Sequence, residues 1–151
     1  MITFREITKE NYMEAIFLKL KPEQTSYVAD NARSIAEAAY EEGIYIRGIY
    51  SEDTMIGFVL YDYDPEIPGW SMSRFMIGDQ YQGKGYGKRA LEAFLNYIKE
   101  TLKIKELYIS VELDNTPALT MYRHIGFKDT KQIQYEFDGI IYREQQMIKI
   151  L

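Results

Sequence analysis

One stretch of the chain decides the fold: residues 72–91, which read MSRFMIGDQYQGKGYGKRAL. The stretch begins with apolar residues that predict a β-strand and ends in the first turn of an amphipathic helix. Between them, Gly83, Gly85 and Gly87 lack the Cβ atoms that would hold a ligand away from the backbone. The first N–H groups of a helix have no internal partner, and the helix dipole favours negative charge there. The turn therefore predicts a site for a phosphate group.

The spacing of these glycines excludes two common nucleotide-binding loops. A Walker A loop would need G-x-x-x-x-G-K-[ST], which does not occur. A dinucleotide fingerprint would need G-x-G-x-x-G and an acidic residue about 20 positions later, at the end of a second parallel strand. The alternative is a glycine-rich connection that binds nothing.

Residues 82–87, Gln-Gly-Lys-Gly-Tyr-Gly, resemble the Q/R-x-x-G-x-G/A pyrophosphate loop of the GCN5-related N-acetyltransferases (GNAT), which bind acetyl-coenzyme A. Residues 111–127 resemble the second signature of that family, N-x-x-A-x-x-x-Y followed by G-F, with Asn115, Ala118 and Tyr122 at its defined positions. One helix and one strand separate the two signatures, as in the family, and the resemblance extends over essentially the whole chain.

Composition limits the other functions. The 151 residues carry a net charge of −5 and form no basic stripe, so a nucleic-acid partner is not expected. The absence of cysteine excludes disulfides and a thiol nucleophile, and a single His124, to which we assign no role, excludes a histidine-based metal site. No apolar run is long enough to span a membrane, and the first residues lack a signal-peptide layout. We expect one domain, residues 1–151, in the cytoplasm.

Periodicity and turn residues predict the elements in the order β-α-α-β-β-β-α-β-α-β-β. Thr8 is expected to cap a helix over residues 9–20, and Asp30 or Asn31 a second helix that Gly43 closes. The predicted inward residues of these helices are Tyr12, Met13, Ile16, Phe17, Leu20, Ala32, Ile35, Ala36 and Ala39. The Asp138-Gly139 pair predicts a two-residue hairpin. The predicted order is that of the GNAT family, which implies an α+β (mixed α/β) fold with about seven strands in a mixed sheet flanked by helices.

The resemblance implies how acetyl-CoA binds. Strands four and five of the family splay apart, and main-chain groups of strand four bind the pantetheine arm, with an N–H near Met76 facing the thioester oxygen. The implied cofactor-binding residues are Phe75, Met76, Ile77, Gln82, Gly83, Lys84, Gly85, Tyr86, Gly87, Lys88, Asn115, Ala118 and Tyr122. The alternatives are a plain core strand for residues 75–77 and a helix cap for Asn115.

Tyr122 takes the position of the family's general acid, which protonates the departing thiolate; the alternative is a packing tyrosine. Polyamine acetyltransferases of the family often carry a carboxylate on strand four where this chain has Ser73, so a base on that strand is in doubt. The acids expected near the acceptor are Asp62, Asp64 and Glu66 in the loop before strand four, and Glu23 and Asp30 near the first helices. Their alternative roles are solubility and helix capping.

Within the family, the chain is most similar to the bacterial spermine/spermidine (diamine) N-acetyltransferases. The resemblance implies transfer of an acetyl group from acetyl-CoA to a small-molecule amine, a polyamine, by direct attack of the neutral amine. Two alternatives stay open: another acceptor, such as a protein N-terminus, an amino acid or an antibiotic amine, and a non-catalytic acyl-CoA-binding module. Exposed edge strands in the C-terminal hairpin also suggest a homodimer.

Overall fold

The structure, a computed structural model, describes residues 1–151 and is built on one seven-stranded sheet. The strand order is β1-β2-β3-β4-β5-β7-β6, and every neighbouring pair is antiparallel except β4 and β5. The elements are β1 Ile2–Arg5, α1 Tyr12–Phe17, α2 Asn31–Tyr40, β2 Ile44–Ser51, β3 Thr54–Asp64, β4 Gly69–Ile77, α3 Tyr86–Leu102, β5 Glu106–Glu112, α4 Thr116–Ile125, β6 Lys128–Phe137 and β7 Ile140–Ile150. The predicted α+β fold with a mixed sheet is confirmed.

Helices cover both faces of the sheet. The larger core lies between the sheet and the helices α3 and α4, and it includes Phe94, Ile109 and Tyr122. A smaller core lies on the opposite face, and it includes Ala15 of α1 and Leu18, which follows α1 directly. Alternate residues of a strand point to opposite faces, so Tyr108, Ser110 and Glu112 of β5 lie on the face of α1 and α2.

The two parallel strands separate soon after they meet. The β4–β5 ladder holds one residue pair, Ser71 with Tyr108, and past this point no strand pairs with β4 on its β5 side. Residues 74–77 of β4 remain paired with β3 on the other side. The separation leaves a cleft between the C-terminal ends of β4 and β5, which are the ends from which the glycine-rich turn and α4 begin.

Local signals set several element ends as predicted. The Asp30 carboxylate caps α2 by accepting a hydrogen bond from the Arg33 N–H at 2.8 Å. Gly126 ends α4 with φ +113, a conformation that favours glycine. Asp138 and Gly139 both have positive φ, as a type I′ hairpin requires. Strand β6 forms an edge of the sheet and is almost wholly exposed, but the homodimer stays a prediction.

The prediction for the first two helices was wrong in the extent of α1 and in most of the residues expected to lie inward, although Leu20 and Ile35 do pack against the smaller core. Helix α1 begins at Tyr12, without a side-chain cap, and has six residues. Tyr12, Met13 and Phe17 are 41%, 43% and 69% exposed, whereas Ala15 and Leu18 are buried. In α2 the exposed residues include Ala32, Ala36 and Ala39, and Asn31 and Ser34 are buried. Asn31 lies inward because its side chain donates a hydrogen bond to the Ala15 carbonyl at 2.9 Å, which joins α2 to α1.

Candidate active site

The glycine-rich turn presents open backbone to solvent. Gly83 and Gly85 have φ +75 and +81, and a Cβ atom built on either would meet no atom within 4 Å. Gly85 is the N-cap of α3 and provides no side-chain cap, so the first N–H groups of this 17-residue helix have no side-chain acceptor. Lys84 and Lys88 are exposed beside them. The turn therefore has the free donors, positive charge and space that a pyrophosphate needs.

The side chain of Gln82 has a structural task in this turn. Its Nε2 donates to the Ile77 carbonyl at 2.9 Å and to Gln24 Oε1 at 3.0 Å, and Gln24 Nε2 donates in return to Gln82 Oε1 at 3.2 Å. These bonds tie the turn to the short 3₁₀ helix Pro22–Gln24. The backbone N–H of Gln82 is also occupied, because it donates to the Asp79 carbonyl at 3.2 Å, so the free donors of the predicted phosphate site come from the residues after Gln82.

Strand β4 supplies the predicted main-chain groups. Phe75, Met76 and Ile77 pair with β3 at Val59, Phe58 and Gly57, so on this side their backbone is satisfied. On the other side no strand pairs with them. The side chains of Met76 and Ile77 are buried in the two cores, as expected when only their backbone is available to a ligand.

Tyr122 lies in α4, across the cleft from β4. Its ring is 8% exposed and packs edge-on against Phe127, with ring centroids 5.5 Å apart. Burial raises the pKa of Tyr122 above the ordinary value of a phenol, so the hydroxyl is protonated at neutral pH. The Tyr122 hydroxyl has no hydrogen-bond partner in the protein. Its oxygen is not fully buried, because Thr3 Oγ1 is the sole fully buried side-chain N or O atom that lacks a partner. The Tyr122 hydroxyl is therefore free to donate a hydrogen bond.

Asn115 and Ala118 form the start of α4. The Asn115 side chain accepts a hydrogen bond from the Ala118 N–H at 3.4 Å and is the N-cap of the helix. The capping role is thus present, and the amide NH₂ of Asn115 is left without a protein partner. Ala118 is half-buried on the turn before Tyr122, where its small side chain leaves space.

Two of the predicted acceptor acids lie in a strand, not in a loop. Strand β3 runs to Asp64, so Asp62 and Asp64 have fixed strand positions, and the prediction that placed them in the loop before strand four was wrong. Asp62 pairs with Ser71 of β4, which pairs with Tyr108 of β5. Asp62 therefore lies on the same face as Tyr108 and Glu112, the face of α2.

The other predicted acids lie further out. Glu66 is exposed in the turn between β3 and β4, and its N–H donates to the Asp64 carboxylate at 2.9 Å. Glu23 is exposed in the 3₁₀ helix that Gln24 joins to the glycine-rich turn. Asp30 is exposed and caps α2, which is the alternative role that the sequence left open. The structure thus brings Asp62 and Asp64 together on one face and leaves the other three at its margin.

Sequence reasoning missed a pair of glutamates on the same face. Glu112 at the end of β5 and Glu144 of β7 are directly opposite in the ladder. Burial raises the pKa of Glu112, and the negative charges of Glu144 and Asp114 raise it further. Burial also raises the pKa of Glu144, which accepts a hydrogen bond from the Tyr135 hydroxyl at 2.9 Å. The alternation of apolar and polar residues in β5 and β7 could have indicated which face of the sheet each glutamate lies on, but it could not have indicated that the two glutamates are opposite each other.

Asp62, Asp64, Glu112 and Glu144 define what we call the acidic face. None of the four forms a salt bridge. The nearby cation is already committed, because Arg74 is 2.6 Å from the Glu37 carboxylate of α2 and donates to Ser34 Oγ at 3.1 Å. Burial alone would raise the pKa of Glu37, but Arg74 and Arg33 hold it below its ordinary value.

The C-terminal hairpin encloses the acidic face from one side. The Arg33 guanidinium of α2 lies over the ring of Phe137, 4.6 Å from its centroid, so the end of β6 reaches across to α2. Behind this contact, Tyr135 and Tyr142 stack with centroids 5.2 Å apart on the same face as Glu144. Carboxylates and aromatic rings together are the groups that bind organic cations.

Comparisons with known proteins decide the family. The acetyltransferase (GNAT) domain model matches residues 2–128. The chain belongs to the GNAT acetyltransferase family. It is an enzyme, an acetyl-CoA-dependent N-acetyltransferase, and the non-catalytic alternative is set aside. The glycine-rich turn and the open edge of β4 fit this acetyl donor, because they offer backbone donors and space where a GNAT enzyme needs them.

Similar proteins include polyamine acetyltransferases. The chain is 28% identical to the spermine/spermidine N(1)-acetyltransferase of Bacillus subtilis (strain 168), over 95% of this chain and 98% of the relative. It is 33% identical to the spermidine N(1)-acetyltransferase of Escherichia coli (strain K12), over 42% of this chain and 34% of that protein. A solved structure with the same fold is that of spermidine N-acetyltransferase from Vibrio cholerae in complex with CoA and spermine, with TM-score 0.76, 17% identity, 99% of this chain and 95% of that chain covered.

Two further observations concern excluded sites. No group of His, Asp or Glu side chains in this GNAT enzyme is arranged to hold a metal ion. No helix is both long and apolar enough to cross a membrane. His124 is exposed on α4.

Proposed function

We propose that this enzyme transfers the acetyl group of acetyl-CoA to a primary amine of a polyamine, spermidine or spermine. The observation that carries the proposal is the acidic face, where four carboxylates lie on one face of the sheet without a salt bridge and two of them, Glu112 and Glu144, lie at the end of β5 that borders the cleft. A polyamine carries several positive charges at neutral pH, and their spacing along a flexible chain suits carboxylates on neighbouring strands.

The opposed glutamates give this argument its energetic weight. Like charges directly opposite in an antiparallel pair destabilise a sheet. Burial and the neighbouring charge both raise the pKa of Glu112, so its negative charge costs free energy in the protein alone. A bound ammonium would remove this cost. The B. subtilis relative, which is named for spermine and spermidine, supports the same acceptor.

In this proposal the cosubstrate and the acceptor would occupy opposite sides of one opening. Ser71 and Tyr108 form the last β4–β5 pair, so Glu112 lies four residues, about 13 Å, further along β5, on the stretch that borders the cleft. The backbone of residues 75–77 and the N–H groups from Gly83 to Lys88 would hold acetyl-CoA, which supplies the acetyl thioester. Carboxylates of the acidic face would then hold the ammoniums of the acceptor and direct one amine to the cleft.

Tyr122 and the backbone of β4 near Met76 take the two electrostatic roles at the reacting carbonyl. A cleft-facing N–H of β4 near Met76 would donate to the carbonyl oxygen as negative charge develops. The Tyr122 hydroxyl would donate its proton to the thiol sulfur as the C–S bond breaks. A phenol of pKa ~10 is a weaker acid than a thiol of pKa ~8.5 by about 2 kcal/mol. Burial raises both values, so this difference changes little when both groups share one apolar site.

The acceptor must lose a proton before it attacks. An alkylamine of pKa ~10.4 is neutral in about one molecule in 2500 at pH 7, which corresponds to a cost of about 4.6 kcal/mol. Direct attack on the thioester therefore needs a group that takes this proton, and activity should increase with pH as the amine deprotonates.

An acceptor panel tests the proposal. The purified enzyme is supplied with acetyl-CoA and, in turn, spermidine, spermine, butylamine, an amino acid, a peptide with a free N-terminus and an aminoglycoside. Released thiol gives the rate, and mass spectrometry identifies the acetylated product. We expect kcat/KM for the two polyamines to exceed that for butylamine by ~10-fold or more. A tenfold difference needs only about 1.4 kcal/mol of additional binding free energy from the distal charges. A comparable preference for another class on the panel would contradict the proposal.

A further inference from the structure

Strand β4 contains a bulge at Ser73. Leu60 of β3 pairs with Arg74 of β4, and the next residue, Tyr61, pairs with Met72, so Ser73 is an extra residue without a partner. A bulge bends its strand and redirects the side chain of the extra residue. It lies two residues past the last pair between β4 and β5, at the point where the cleft opens.

The redirected serine binds a carboxylate. Ser73 Oγ donates a hydrogen bond to Asp62 Oδ1 at 2.5 Å, and this is the one hydrogen bond that the Asp62 carboxylate receives from the protein. Oδ2 of Asp62 is left free, and no cation is paired with it. Burial raises the pKa of Asp62 most strongly, and the Ser73 bond offsets part of this increase. The negative charges of Asp64 and Glu37 add to the increase, and the positive charge of Arg74 opposes it.

These contacts place a fixed, unpaired carboxylate at the mouth of the cleft. The hydroxyl of Ser73 orients one oxygen and leaves the other available to an amine. Asp62 is half-buried, so its environment disfavours the negative charge and makes it a stronger proton acceptor than an exposed aspartate. Glu37 cannot take this role, because Arg74 and Arg33 occupy its carboxylate.

We propose that Asp62 is the general base that deprotonates the acceptor ammonium, and that Ser73 is its positioning residue. The inference rests on the proposed function only in that the acceptor is an amine. An N–H bond of the ammonium breaks, its proton passes to Asp62 Oδ2, and the freed electron pair of nitrogen forms the C–N bond as the C–S bond breaks. The second proton lost from nitrogen returns to the Tyr122 oxygen, which has given its own proton to sulfur. The first proton passes from Asp62 to solvent.

The test compares Asp62→Asn with wild type across a range of pH. Asparagine keeps the shape and the acceptor for Ser73 but cannot take a proton. We expect kcat with spermidine to fall ~100-fold at pH 7, and the deficit to shrink toward pH 10, where the amine is already neutral. The shift in melting temperature caused by acetyl-CoA should not change. Asp53→Asn, an exposed carboxylate at the other end of β3, is the matched control.

Ser73 provides an independent variant. Ser73→Ala should lower kcat by ~10-fold with the same recovery at high pH, and Ser73→Thr, which keeps the hydroxyl, should restore most of the activity. A deficit in Asp62→Asn that is equal at pH 7 and pH 10, or activity within threefold of wild type at pH 7, would overturn the assignment. If the wild-type enzyme acetylates another amine and not polyamines, the proposed acceptor is overturned. The role of Asp62 can still be tested in that case, because the pH comparison is then made with the other amine.

Discussion

The two proposed ligand regions of the molecule are built in different ways. The β4–α3–β5 segment would offer the acetyl donor a turn of backbone N–H groups, whose geometry follows from glycines with positive φ. The region of α1, α2 and the acidic face would offer the acceptor side chains from elements that are distant in sequence. The first kind of site is encoded locally, whereas the second exists only after the sheet and helices have packed.

The two regions also differ in what stabilises their helices. Helix α3 has 17 residues and buries a continuous stripe of Ala90, Leu91, Phe94, Leu95 and Ile98. Helix α1 has six residues and buries Ala15. A helix that short is unstable by itself, so tertiary contacts decide its ends and its face. The region that recognises the acceptor is thus the one that depends most on its surroundings.

The largest expected effect tests the donor side of the comparison. In wild type, acetyl-CoA at about 100 times its Kd should raise the melting temperature by roughly 5 to 10 °C, because ligand binding stabilises the folded state. Gly85→Val should abolish this shift, since a β-branched side chain would fill the open turn and disfavour its positive φ. Thermal denaturation with and without acetyl-CoA measures the shift.

Gly43→Val is the matched control for this variant. Gly43 has φ +79 and equally open surroundings, but it lies in the turn before β2. Both variants should therefore lose a similar ~1–2 kcal/mol of stability from backbone strain. Only Gly85→Val should lose the response to acetyl-CoA. An unchanged response in Gly85→Val would show that the donor does not bind at this turn.

The next effect concerns Tyr122, which lies where the two regions meet. Tyr122→Phe should lower kcat by ~100-fold with little change in the KM for acetyl-CoA, because only the proton donor is removed. The melting temperature should stay the same, since the hydroxyl has no protein partner. Steady-state kinetics and thermal denaturation provide the two measurements. Activity within threefold of wild type would leave Tyr122 a packing residue.

Tyr50→Phe should show the reverse pattern, a loss of stability without a loss of activity. Tyr50 is as buried as Tyr122, but its hydroxyl accepts a hydrogen bond from Asn11 at 3.1 Å. Loss of that bond should cost ~1 kcal/mol of stability. Since Tyr50 lies in β2, away from the cleft, kcat should not change.

The sequence allowed the donor region to be predicted closely. The strand and the amphipathic helix predicted on either side of the glycine-rich turn are β4, Gly69–Ile77, and α3, Tyr86–Leu102. Local chemistry explains this success, because glycines, caps and an apolar stripe act over a few residues. The acceptor region shows the opposite: Tyr12 and Phe17 were predicted inward and lie exposed, since the buried Asn31 of α2 decides how α1 packs.

The same division holds within the candidate site. Tyr122 and Asn115 follow from a motif in one segment. Glu112 and Glu144 are 32 positions apart and become neighbours only through the β5–β7 register, which a single sequence does not specify. The bulge at Ser73 likewise depends on the pairing of β3 with β4, so the Asp62 contact could not be predicted.

The smallest effect tests the central claim, that carboxylates of the acidic face bind the distal ammoniums of the acceptor. The double variant Glu112→Gln/Glu144→Gln removes the opposed pair and keeps its shape. The control, Glu106→Gln/Glu136→Gln, removes the same charge from exposed positions of β5 and β6. Neutralising the opposed pair should also raise the melting temperature at neutral pH. Because the pKa of each glutamate is raised in the folded protein, this gain should vanish below about pH 4, where both are protonated.

The decisive measurement is the KM for spermidine of the two double variants at low and high salt. We predict that KM rises ~10-fold in Glu112→Gln/Glu144→Gln at low salt, with an unchanged KM for acetyl-CoA and an unchanged KM for spermidine in the control. The difference should shrink toward 1 M salt, as the Debye length falls from ~10 Å at 0.1 M to ~3 Å. Equal KM values for spermidine in the two variants at low salt would contradict the claim that the acidic face binds the acceptor.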